Sequence, residues 1–164
     1  MRLSLIIMGV AGCGKTSVGE ALQDRTGMPF IDGDSLHPRE NIAKMSAGIS
    51  LEDADRWPWL TLVGQEIAAS TTPISIGCSA LKRAYRDSIR RSAKKPVGFV
   101  HLLGDRTVIE KRMQLRQGHF MPTSLLDSQF ATLEPLQGDE TGFTVNVDQA
   151  LEQIIDAIVQ HDFD

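Results

Sequence analysis

The chain has 164 residues, a net charge of −4, and 23% charged against 41% hydrophobic residues. This is the size of one domain with a real core, and the composition excludes a disordered tail or a coiled coil. A compact nucleic-acid binder carries a basic face, so the acidic balance argues against that partner. No run approaches the ~18 apolar residues needed to span a bilayer, which argues against a membrane partner.

The first predicted strand is Leu3–Met8. It is too short to be the apolar core of a secretory signal, and it leads into a glycine-rich loop. That loop, Gly9-Val10-Ala11-Gly12-Cys13-Gly14-Lys15-Thr16, fits G-x-x-x-x-G-K-[ST], and Ser17 follows it in a helix predicted over 15–26. Glycines let backbone N–H groups turn inward around phosphate oxygens, and the helix N-terminus adds partial positive charge. In a chain of ordinary glycine content the four fixed positions match by chance on the order of 1% of the time. Residues 9–17 are therefore candidate ATP contacts. Lys15 reaches the β- and γ-phosphates, and the Thr16 hydroxyl is a candidate Mg²⁺ ligand.

A phosphate loop alone does not separate ATPases, GTPases and kinases. The chain has no N-K-x-D element, and the predicted strand Ile74–Cys78 contains no acid. The second carboxylate must come from elsewhere. The predicted strand Pro29–Ile31 runs into Asp32-Gly33-Asp34. In an extended segment residues two apart share a face, so the two acids point the same way. One then binds magnesium while the other accepts a substrate hydroxyl's proton.

The following stretch, including His37, Arg39, Asn41 and Lys44, is rich in groups that bind hydroxyls or carboxylate. A helix over 53–70 is expected next, with Pro58 in its first turn. Arg56 there is a candidate bidentate clamp for a carboxylate, whereas Trp57 and Trp59 read as packing. Further helices are predicted over 80–92, 105–117 and 123–134, with strands at Gly98–Leu103 and Phe143–Val147. The last helix, 149–161, has Leu151, Ile154, Ile155, Ile158 and Val159 in one stripe and Asp148 as its expected N-cap. Apolar strands alternating with helices imply a single α/β domain over 1–164, with a parallel sheet covered on both faces.

Several blocks resemble gluconokinases of the nucleoside-monophosphate-kinase-like type. They are Gly33-Asp34-Ser35-Leu36-His37-Pro38, Asn41-Ile42-Ala43-Lys44-Met45, Asp55-Arg56-Trp57-Pro58-Trp59-Leu60, and Cys78-Ser79-Ala80-Leu81-Lys82-Arg83-Ala84-Tyr85-Arg86-Asp87. His119-Phe120-Met121-Pro122 and the run from Leu125 to Glu134 continue the likeness, which spans roughly residues 3–160. The resemblance implies a P-loop three-layer α/β/α fold with a five-strand parallel sheet of order 2-3-1-4-5. It also implies a helical lid near 105–120, ATP with Mg²⁺ as cofactors, D-gluconate as the small-molecule partner and 6-phosphogluconate as product. Ala11, Cys13 and Thr16 stand where that family usually carries serines, which changes side chains but removes no backbone donor.

Carried over residue by residue, Asp34 is the proton acceptor and Asp32 lies nearer the metal. His37, Lys44, Arg56, Lys82, Arg83, Arg86 and His119 are candidate gluconate contacts, since a hydroxylated anion needs cations and hydrogen-bonding groups together. Arg112 and Arg116 are four apart and share a helical face, with Gly118 as stop and hinge. Lid arginines of this kind neutralise charge on the transferred phosphoryl group. Arg112 or Arg106 meets adenine in the alternative arrangement, near Asn146-Val147-Asp148.

Cys13 and Cys78 make no disulfide framework, so a reducing cytoplasm is expected. Both thiols are expected at the carboxyl end of the sheet; Cys13 lies near a helix N-terminus and Lys15, conditions that raise reactivity, and two buried inert thiols are the equal alternative. The resemblance leaves a homodimer open. The competing readings are another small-acid kinase, such as shikimate kinase, and a nucleotide-binding regulator without catalysis. Against the first, Gly77-Cys78-Ser79-Ala80 stands where a glycine triplet is expected.

Overall fold

The computed structural model describes residues 3–115 and 123–163. Five parallel strands form one sheet: β1 (Ser4–Met8), β2 (Phe30–Asp32), β3 (Ser75–Gly77), β4 (Val97–Leu103) and β5 (Gly142–Asn146). Their spatial order is β2-β3-β1-β4-β5. All five residues of β1 are buried, as a central strand covered on both faces requires. Leu5, Ile6 and Ile7 pair with Ser75, Ile76 and Gly77 on one side and with Gly98, Phe99 and Val100 on the other.

Seven helices accompany the sheet among the described residues: α1 (Lys15–Thr26), α2 (Arg39–Ser46), α3 (Asp53–Ala69), α4 (Arg83–Ala93), α5 (Arg106–Gln114), α6 (Thr123–Thr132) and α7 (Leu151–Gln160). With α3 packed on α4 and α1 on α7, the molecule is a three-layer α/β/α domain. The core includes Val18 and Leu22 of α1, Trp59, Leu60 and Val63 of α3, and Ile154, Ile155 and Ile158 of α7. Burial of each such side chain stabilises the fold by about 1.5–3 kcal/mol.

Three local expectations are corrected. Helix α2 was not anticipated, because its one buried residue is Asn41 and it shows no apolar stripe. Tertiary contacts of Asn41 and Lys44 with Asp55 hold it in place. Pro58 lies inside α3, beyond its first turn, since the helix starts at Asp53. There the ring removes the donor that would have reached the Ala54 carbonyl, while Asp55 Oδ2 accepts from the Glu52 N–H at 2.9 Å and secures the start. Asp148 does not cap α7. Its N–H is held by Asn146 Oδ1 in a turn, and Gln153 Oε1 takes the Ala150 N–H where the helix begins.

Candidate active site

Gly14 has φ 101° and precedes α1, so the chain enters the helix through a conformation that other residues rarely adopt. The loop it closes wraps the carboxyl end of β1, and Ala11, Gly12, Gly14, Lys15 and Thr16 line a cleft of about 280 Å³. That volume suits a small metabolite. Within the loop, Lys15 Nζ donates to the Gly9 and Val10 carbonyls at 3.0 and 3.1 Å. The Ala11 N–H donates to Gln129 Oε1 of α6 at 2.6 Å.

The acid pair is arranged differently from the expectation. Strand β2 ends at Asp32, and Gly33–Leu36 turns as a 3₁₀ helix, so the two acids do not share a strand face. Asp32 Oδ1 caps the turn by accepting from the Asp34 N–H at 3.0 Å. Gly33 is required at this bend, because a Cβ on it would lie 2.2 Å from the Gly77 carbonyl oxygen. The turn delivers Asp34 into the cleft. Partial desolvation there raises its pKa, opposed by the Lys15 charge and reinforced by Asp32.

His37 and Arg56 also line the cleft. The His37 ring stacks on Trp59 at 3.8 Å, and the Trp59 indole N–H donates to the Gly33 carbonyl at 2.8 Å. Trp59 is therefore part of the site rather than plain packing, and its tandem with Trp57 in sequence gave no signal of the difference. Arg56 donates to the Tyr85 hydroxyl at 3.0 Å, which in turn donates to Asp53 Oδ1 at 2.5 Å. Arg56 thus faces the cleft with its guanidinium held by an aromatic partner.

Other expected contacts lie elsewhere. Lys44 is paired with Asp55 at 2.8 Å, and Lys82 lies 3.8 Å from Asp53 and over the Tyr85 ring; neither lines the cleft. Arg83 is engaged by Asp87, Asp139 and Gln137. Arg86 is fully buried, bonded to Glu140 and to the Ala80, Leu81, Glu134 and Pro135 carbonyls. Arg83 and Arg86 are corrected from substrate contacts to structural clamps, because their donors are already committed to protein acceptors.

A second opening, of about 340 Å³, lies on the other side of the phosphate loop. Gly12, Gly14 and Ser17 line it together with Arg112 and Gln149. Arg112 donates to the Val147 carbonyl. Arg106 instead pairs with Glu110 and Asp127 and lies over Phe130. Arg112 is thus separated from the cleft holding Asp34. Arg116 and His119 fall outside the described residues, as does the end of the expected lid.

Cys13 and Cys78 follow adjacent strands, but both are buried. Burial also pushes the Cys78 thiol up to about 12. The expected reactivity of Cys13 is corrected: its sulfur faces inward, leaving the loop's backbone and not its thiol toward the cleft.

The family model for shikimate kinase matches residues 11–160. A gluconokinase from Gluconobacter oxydans is 42% identical over 161 residues, covering 96% of this chain and 89% of that protein. This chain belongs to the gluconokinase family. A gluconokinase structure from Sinorhizobium meliloti superposes with a TM-score of 0.87 at 51% identity, covering 94% of this chain and 88% of the other. An unliganded sugar kinase from Janibacter sp. HTCC2649 gives 0.91 at 44% identity, covering 97% and 93%. The chain thus belongs to a family of ATP-using kinases, and no helix among the described residues is long and apolar enough to cross a membrane.

Proposed function

We propose that the protein transfers the γ-phosphoryl group of ATP to D-gluconate, giving 6-phospho-D-gluconate and ADP. The observation that carries this reading is the convergence of Lys15 and Thr16, Asp34 and His37, and Arg56 on one small cleft. A sugar acid needs a cation for its carboxylate and hydrogen-bonding groups for its hydroxyls, and this lining supplies both. The names of the relatives point to the same acceptor.

In this reading Asp34 accepts the proton of the acceptor hydroxyl as its oxygen bonds to the γ-phosphorus. The bond from that phosphorus to the bridging oxygen breaks, and ADP leaves with the electron pair. Lys15 leaves the Gly9 and Val10 carbonyls to follow the charge on the phosphates. Arg56 fixes the carboxylate end and Arg112 holds the adenosine end, while the expected roles of Arg116 and His119 fall on residues outside those described.

Thr16 and Asp32 are the residues that would hold Mg²⁺. No group of three acidic, His or Cys side chains that could hold a metal occurs among the described residues. That fits an ion bound through one or two protein oxygens plus the nucleotide's phosphates. When bound, it neutralises charge developing on the β- and γ-oxygens.

A coupled assay of ADP release tests the reading, with gluconate, other aldonic acids, shikimate and nucleoside monophosphates as acceptors. Turnover is expected with gluconate. Faster turnover with shikimate, or ATP binding without turnover on any acceptor, would overturn it.

A further inference from the structure

The contacts around His37 settle which of its ring nitrogens carries the proton. Asn41 Nδ2 lies 2.8 Å from the Asp55 carbonyl oxygen, and 3.1 Å from His37 Nδ1. A carbonyl oxygen only accepts, so the Asn41 atom facing it must be the nitrogen; the reversed amide would set two oxygens against each other. That nitrogen has a second hydrogen, and it points at His37 Nδ1. Nδ1 must then accept, and in a neutral imidazole the proton is left on Nε2.

Nε2 faces the cleft. It lies 3.9 Å from Asp34 Oδ1, too far for a direct hydrogen bond. The gap is the right size for one hydroxyl oxygen at hydrogen-bond distance from both. Such an oxygen donates its hydrogen to Asp34, accepts from His37 Nε2–H, and keeps a lone pair for attack on phosphorus.

We propose that Asn41 is a positioning residue that locks His37 as the Nε2–H tautomer, so that His37 orients the acceptor hydroxyl as a donor and Asp34 alone takes the proton. The role in turnover rests on the reading of the acceptor site given above; the tautomer does not. Burial first, and then the nearby Arg56 charge, lower the His37 pKa to about 4 against the opposing pull of Asp32, so the ring is neutral at pH 7. The stack on Trp59 fixes the ring plane in which both nitrogens point. In sequence Asn41 stands among several polar groups that bind hydroxyls or carboxylate, and nothing there shows that its amide meets His37 and the Asp55 carbonyl.

Nitrogen-15 NMR of the ligand-free enzyme at pH 7, with labelled histidine, reads the tautomer directly. A His37 with protonated Nε2 and a lone pair on Nδ1 is expected; an Nδ1–H ring, or an imidazolium, would overturn the proposal. Asn41→Asp offers only acceptor atoms and should move the proton to Nδ1. Gluconate kcat/KM should then fall at least ~10-fold while ATP affinity holds. An unchanged tautomer in that variant would reduce Asn41 to a helix support and defeat the idea.

Should Asn41→Asp fail to fold, His37→Gln and His37→Leu give an independent arm. Gln keeps an N–H donor near the Nε2 position and should retain far more turnover than Leu. Equal activities of the two would sink the donor role. A protonated Nε2 in an enzyme that phosphorylates none of the acids tested upholds the tautomer and overturns the reading of the substrate.

Discussion

Gln129 Oε1 of α6 accepts the Ala11 N–H of the phosphate loop at 2.6 Å, a contact between residues 118 positions apart. Lys15 is likewise occupied, by two carbonyls of its own loop. Two of the donors that a triphosphate would use in the proposed reading, the Ala11 N–H and the Lys15 ammonium, are thus engaged within the protein. Binding must exchange these bonds for bonds to phosphate oxygens, as a net hydrogen bond is worth only about 0.5–1.5 kcal/mol. Replacing Gln129 with Met keeps the volume and removes the competitor. ATP binding measured by calorimetry without acceptor should tighten by roughly 2- to 10-fold. Weaker binding would mean that Gln129 serves the nucleotide rather than competing with it.

In the proposed reaction Asp34 takes the proton of the acceptor hydroxyl. Asp34→Asn should lower kcat at least ~10²-fold with little change in ATP affinity. Because the working form is the carboxylate and its pKa is raised, first by desolvation, activity should fall on the acid side. The acid limb of kcat/KM should lie higher than an unperturbed aspartate would put it. Near-normal turnover by the Asn variant would remove Asp34 from this role.

Arg112 lines the second opening together with Gln149, and in the proposed reading it holds the adenosine end of ATP there. Arg112→Ala should raise the KM for ATP about 10-fold or more and leave the KM for gluconate within about twofold, since one hydrogen bond to a charged group contributes roughly 1.5–3 kcal/mol. Initial-rate kinetics with each substrate varied in turn would separate the two. A fall confined to kcat would return Arg112 to the transferred phosphoryl group.

The Arg86–Glu140 pair, with both side chains fully buried, joins α4 to the segment between α6 and β5. Arg86→Ala strands a buried carboxylate and should cost on the order of 3–5 kcal/mol of stability. Burial opposes the charge on Glu140, but hydrogen bonds from Arg86, Arg90 and the Gln137 N–H outweigh it and hold the pKa at about 2. Its folded pKa lies below its ordinary 4.5, so its stabilisation is complete above that pH and is lost as the pH falls toward about 2. Thermal melts of the wild type and Glu140→Gln across this window should converge as the pH falls; curves that stay parallel would count against the linkage.

By itself the sequence determined the strand alternation, the phosphate loop, and a set of acids and cations around it, because these are written in local periods and fixed spacings. The apolar run that becomes β1 calls for burial on both faces, and the spacing around Gly14-Lys15-Thr16 is that of a phosphate loop. Tertiary structure alone decided which charges remain free for substrate. Arg56 and Arg86 are the same residue type in neighbouring motifs. Glu140 and the Glu134 and Pro135 carbonyls, all from a distant segment, join the nearby Ala80 and Leu81 carbonyls in consuming Arg86, whereas Tyr85 holds Arg56 at the edge of the cleft. The same holds for Asn41, whose partners His37 and Asp55 come together only when α2 meets α3. A side chain's chemistry is intrinsic, but its availability depends on which acceptors and donors the fold brings within about 3 Å.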